Sequence, residues 1–180
     1  MDNIDELKAK PLSNYEIMNA LNNKVNMLTY DELVNYDDID HVLGKYGVCV
    51  LLVETKENNG HWICMFKTVS DNKKKEPIVS FFDSYALPVD DQLHFVNMKF
   101  REENNMLYPY LSYLLYKCPY PIEYNEHQFQ KLSPKINTCG RWVILRLLLK
   151  HLSLKKFYKL FKPSKKIDSD NLVTILTKNI

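Results

Sequence analysis

The chain has 180 residues, 46% of them hydrophobic, and a formal net charge of +2. That length fits one domain with a real core and excludes two ordinary ones. The small charge excludes a global basic field as a reason to expect nucleic acid, and no uncharged apolar run is long enough for a transmembrane helix.

In chain order, the start "MDNIDELKAKPLSNYE" lacks the apolar stretch of a secretory signal. "SNYE" has the form of a capping box, with Ser13 as N-cap and Glu16 reaching back, and predicts a short helix to about Asn22. "TYDE", Thr29 to Glu32, repeats the signal and predicts a second short helix. The apolar run from Tyr46 to Thr55 predicts a buried strand. "KENNG" is a turn, and His61 to Val69 completes a hairpin. "SDNKKKEP" is a charged loop, and Ile78 to Tyr85 is a third strand with a polar step at Asp83. "LPVDDQLHFVNMKFREENN" is ambiguous.

Met106 to Cys118 reads as a helix with Pro109 in its first turn, and Pro121 to Gln130 as a strand or extended segment. After the loop "KLSPKINT", Cys139 opens a nearly all-apolar helix of the kind buried in a core. A lysine-rich stretch, Leu154 to Lys166, and an amphipathic helix over Asp168 to Lys178 end the chain. Strands followed by helices predict an α+β fold: a mixed, largely antiparallel sheet packed against helices, with Cys139 at the N-terminus of a buried central helix. Residues 1–180 form a single domain on this reading, with a core over 46–152 and the N-terminal helices and basic tail as additions.

Four cysteines occur, Cys49, Cys64, Cys118 and Cys139, with no CxxC pair, so free thiols in a reducing compartment are expected. Cysteine catalysis needs a thiolate, a base, something to orient the base, and donors for an oxyanion. Cys139 is the candidate nucleophile. A free thiol titrates at about 8.5, and the unpaired N–H groups of a helix start favour its ionised form. Gly140 beside it would let a substrate backbone approach. His61, at a strand start beside a turn, is the candidate base. Asp83, where a buried strand emerges, is the candidate orienter, and Gln130 the candidate oxyanion donor. Each has a plainer reading: a buried small hydrophobe, a hairpin-end histidine, a turn aspartate, a loop glutamine. Asp71 and Gln128 are nearby alternatives for the last two roles.

Together "GHW", "FFDSY" and "TCGRW", in this order and with Gln130 upstream, resemble the adenovirus-protease and SUMO-protease group of cysteine proteases. "NTCGRWVILRL" is most similar to versions from virophages and large double-stranded DNA viruses, where such enzymes mature capsids. The resemblance spans about His61 to Leu149. It departs from the pattern in two places: Gln130 stands nine residues before Cys139, a longer spacing than usual, and Ala86 replaces a common glycine.

The resemblance implies a viral endopeptidase acting on capsid precursor proteins at glycine-containing sites, in the virion and the host cytoplasm. It further implies His61 as base, Asp83 as orienter, Cys139 as nucleophile forming a thioester, Gln130 and the Cys139 N–H as oxyanion hole, and Trp62 with Gly140 beside the cleft. No cofactor is expected, and no metal, since His61 and Cys64 on one strand point to opposite faces.

Other readings are a deubiquitinase or deSUMOylase acting on host conjugates, an acetyl-CoA-dependent transferase, and a binding module. "GKYG" lacks the spacing of a phosphate-binding loop, which weighs against the transferase. The lysine-rich tail, with its interleaved aromatics, would make weak DNA contact, or simply form a solvated helix face. No membrane partner is expected.

Overall fold

In the computed structural model, which describes residues 3–162 and 168–180, the apolar run after Tyr46 lies inside a five-stranded sheet. The strands are β1 (Asn26–Thr29), β2 (Val48–Lys56), β3 (Asn59–Val69), β4 (Pro77–Phe82) and β5 (Ile122–Tyr124), adjacent in chain order. β2–β3 and β3–β4 are antiparallel, while the edge pairs β1–β2 and β4–β5 are parallel. Eight α-helices accompany them: α1 (Ile4–Ala9), α2 (Asn14–Ala20), α3 (Ile39–Leu43), α4 (Met98–Glu103), α5 (Tyr110–Tyr116), α6 (Cys139–Leu148), α7 (Leu154–Phe161) and α8 (Ser169–Leu176). The fold is α+β with a mixed sheet, as the sequence predicts.

β2 reads as a continuous apolar run because both of its faces are covered. Val48, Val50 and Leu52 join Trp62, Cys64, Phe66 and Phe82 against Trp142, Val143, Ile144 and Leu147 of α6 and Phe157 of α7. Cys49, Leu51 and Val53, on the alternate positions, join Ile63, Met65, Val79 and Phe81 under Tyr30, Leu33, Val42, Leu111 and Leu114. The period of two along each strand therefore divides one sheet between two cores.

Both capping boxes form. The Ser13–Glu16 box opens α2, and the Thr29–Glu32 box opens a 3-10 turn over Tyr30–Asn35 in place of an α-helix. The ambiguous segment after β4 becomes another 3-10 turn, Asp91–Phe95, followed by α4. Pro109 precedes α5 instead of lying in its first turn. Only three residues of Pro121 to Gln130 pair as strand. The ladder ends there because the Asn125 side chain takes over. Its Oδ1 accepts from Asp83 N at 3.0 Å, and its Nδ2 donates to Asp83 O at 2.6 Å.

Helical spacing puts Leu154, Phe157 and Phe161 of the lysine-rich stretch in the core, while Lys155, Lys156 and Lys159 face outward. Pro163 to Lys166 lie outside the described residues. Among the described residues, no helix is long and apolar enough to cross a membrane.

Candidate active site

The β2–β3 hairpin delivers His61. A Cβ on Gly60 would lie 2.1 Å from the Val53 carbonyl oxygen, so only glycine lets the strands close this tightly just before the histidine. His61 is 9% exposed. Across the sheet, β4 ends at Phe82 and leaves Asp83 fully buried at its tip. His61 Nε2 lies 2.7 Å from Asp83 Oδ1. A buried carboxylate needs its lone pairs filled, and these are. Oδ1 also accepts from Tyr85 N at 2.7 Å, and Oδ2 accepts from Gln92 Nε2. The Tyr85 ring stacks on the imidazole, with centroids 4.4 Å apart and planes 17° off parallel. Asp71, by contrast, pairs with Lys156 at 3.1 Å on the surface.

Cys139 is the first residue of α6, and its thiol stands beside the His61 ring and the backbone N–H groups of Trp62 and Gly140. With Nε2 committed to Asp83, Nδ1 is the ring atom left for the thiol. Burial opposes a thiolate here, but the His61 hydrogen bond and charge and the two N–H groups hold the Cys139 pKa below the ordinary thiol value. Burial likewise opposes a charged imidazole. The Asp83 carboxylate, by charge and hydrogen bond, and Cys139 outweigh it and raise the His61 pKa to about 10. The other thiols move the opposite way. Burial pushes Cys64 up to about 12, Cys49 higher still, and Cys118 upward. All four cysteines are free.

Both α1 and α8 hold the segment around Cys139. The loop before it is tied to the N-terminus, where Asn137 N donates to Lys8 O at 2.8 Å and Asn137 Nδ2 to Ala9 O at 2.7 Å. It is tied to α8 where Thr138 Oγ1 donates to the buried Asp170 Oδ1 at 2.6 Å. Arg141, one turn into α6, donates to Thr177 O at 2.9 Å.

Gln130 is buried, and its amide orientation follows from its partners. Oε1 accepts from Ser84 Oγ at 2.8 Å, while Nε2 donates to Tyr85 Oη at 3.1 Å and Ile136 O at 3.2 Å. The extra residues between Gln130 and Cys139 are taken up by a turn closed by Ile136 N on Ser133 O. Gln128 is exposed and donates to the Gln130 carbonyl at 2.7 Å. Trp62 is buried, with Nε1 donating to Leu12 O at 3.0 Å. The space beside Gly140 differs from expectation. A Cβ there would meet Leu12 and Ile17 at 3.2 Å and Trp62 at 3.3 Å, so the glycine admits the protein's own N-terminal segment. Beyond Trp62 runs a groove of about 430 Å³ lined by Pro11, Leu12, Met27, Leu52, Gly60 and other residues. Among the described residues, no group of three or more His, Cys, Asp or Glu could hold a metal ion.

Sequence reading did not find Tyr85, Gln92 or Asn125. Tyr85 lies in the quoted "FFDSY", but Gln92 and Asn125 reach Asp83 from 9 and 42 residues away, with no local pattern to announce them.

The two shifted groups carry opposite pH linkage. Stability from His61 is complete below its ordinary 6.5 and is lost as pH rises through about 10. Stability from Cys139 is complete above its ordinary 9.0 and is lost as pH falls through its lowered value. The pair therefore stabilises most between those ordinary values. Urea unfolding of wild type and His61→Ala across pH should show the largest difference in that window, and a difference that ignores pH would remove the ion pair.

No known family profile matches the chain. It is 45% identical over 169 residues to the uncharacterized protein V9 of Sputnik virophage, covering 92% of this chain and 93% of that protein. Among solved structures, the ASFV pS273R protease matches with a TM-score of 0.45 at 14% identity, over 92% of this chain and 67% of that one. The central domain of the uncharacterized Lpg1148 protein from Legionella pneumophila matches with a TM-score of 0.34 at 12% identity, over 95% and 89%. Both scores lie below 0.5, where overall likeness says nothing about chemistry.

Proposed function

The chain belongs to the family of the Sputnik virophage protein V9, and we propose that it is a viral cysteine endopeptidase that matures capsid precursor proteins. One observation carries the proposal: of four free thiols, the one at the start of α6 stands beside the buried His61–Asp83 pair. Buried thiols without such partners are inert.

The Cys139 thiolate attacks a peptide carbonyl carbon and a C–S bond forms. The imidazolium of His61 gives its proton to the leaving amine as the C–N bond breaks. Asp83 holds the ring throughout, with Nε2–H on Oδ1. Water, deprotonated by His61, then cleaves the thioester. The oxyanion faces the Cys139 N–H and Gln130 Nε2. Both Nε2 hydrogens have partners at rest, so the oxyanion takes the place of Tyr85 Oη. Substrate lies along the groove past Trp62. Acceptance of glycine near the scissile bond is part of this reading, carried by the motif resemblance and not by the space at Gly140, which Leu12, Ile17 and Trp62 fill.

Iodoacetamide at pH 7 should label Cys139 faster than Cys49, Cys64 or Cys118 by at least about thirtyfold, the inverse of the roughly 3% ionised fraction of an ordinary thiol. His61→Ala should suppress the difference. Peptide mapping by mass spectrometry reads it, and equal labelling of all four thiols would sink the proposal.

A further inference from the structure

Gln92 lies in the 3-10 turn Asp91–Phe95, is 2% exposed, and donates from Nε2 to Asp83 Oδ2. The other carboxylate oxygen, Oδ1, carries both the His61 contact and the Tyr85 N–H. Among the described residues, no other donor reaches Oδ2. The final torsion of an aspartate is broad and two-fold, so bonds gathered on one oxygen leave the group free to rock. A donor on the second oxygen fixes the plane. The donor is also neutral, so it supports the anion without competing with the imidazolium for it. An ammonium or guanidinium in the same place would draw the Asp83 charge away from His61.

We propose that Gln92 is a positioning residue for the Cys139 reaction, pinning Asp83 Oδ2 so that Oδ1 stays on His61 Nε2. This rests on the cysteine-peptidase reading above. Gln92 acts on Cys139 at two removes. A pinned Asp83 carboxylate stabilises the imidazolium, and the imidazolium stabilises the thiolate. The ionisable groups facing this chain are Cys64 on β3, Tyr85 after β4, Asp170 on α8 and Cys139 itself. All remain in place in the variants below.

The test is the rate of Cys139 alkylation by iodoacetamide from about pH 4 to 10, in wild type, Gln92→Met and Gln92→Glu. Gln92→Met keeps the length and loses the donor. Its acid limb should rise and its alkaline limb fall, each by about one pH unit, as expected for a lost hydrogen bond to a charged group. On the acid limb this reads as about tenfold slower labelling. In Gln92→Glu the introduced carboxyl donates to Oδ2 only while protonated. Its labelling rate should approach wild type at low pH and fall behind as pH rises, a signature that loss of packing alone would not produce.

A Gln92→Met profile superimposable on wild type overturns the role of Gln92 and leaves the nucleophile standing. If Gln92→Met does not fold, Gln92→Glu decides alone, and a constant ratio to wild type across pH overturns the proposal. A wild-type Cys139 that stays unreactive below pH 8 overturns the peptidase reading, and this inference with it.

Discussion

Replacing Cys139 with alanine should abolish cleavage of a co-expressed capsid precursor, with a rate loss of at least about 10⁴-fold, as for nucleophiles of other acyl-transfer enzymes. The fold should survive. Cys139 is a small buried side chain at a helix start, and alanine fills nearly the same space with good helix propensity. The variant gives up the stabilisation from the thiolate–imidazolium pair, so its melting temperature should drop modestly between pH 6.5 and 9.0. Gel analysis of the precursor, with a thermal melt beside it, separates lost chemistry from lost structure. Processing at the wild-type rate by a folded Cys139→Ala protein would end the reading of Cys139 as nucleophile.

The second large effect is on stability. Trp142, one turn behind Cys139 on α6, is fully buried. Its ring lies 5.1 Å from Phe129, 6.4 Å from Phe157 and 6.1 Å from Phe161, centroid to centroid. Its Nε1 donates to Asp170 Oδ1 at 3.4 Å. Trp142→Ala should cost about 3–5 kcal/mol, the range for a large aromatic removed from a core. Set against a typical domain stability of about 5–15 kcal/mol, that is about a fifth or more of the total. It also takes one donor from Asp170, whose carboxyl burial already raises in pKa. Urea unfolding measures the loss. A cost under about 1 kcal/mol would mean that the aromatic cluster repacks freely, contrary to the density expected of a core.

What could be read from the sequence follows a physical divide. The two capping boxes, the buried β2 and the core helix α6 are local signals, written within a few residues and set by backbone hydrogen bonding and burial period. His61, Asp83 and Cys139 were legible because each sits at the end of such an element, where the chain leaves the core. The residues around them were not. Gln92 and Asn125 reach Asp83 through single side-chain bonds across the chain, which leave no periodicity. The segment around Gln92 stays ambiguous for the same reason: a 3-10 turn followed by a helix of six residues repeats too little to show a period. The surroundings of Gly140 were not legible because Leu12 and Ile17, which occupy the space left by its missing side chain, stand more than a hundred positions earlier.

The ties from Asn137 to Lys8 and Ala9, and from Thr138 to Asp170, also carry a message about timing. During synthesis, His61 and Asp83 can meet as soon as the hairpin and β4 exist. The thiol is seated only when α1 and α8 are both packed against the loop that precedes it. Reactivity is therefore expected only after α8 has packed, so a partly folded chain holds the His61–Asp83 pair without a seated Cys139.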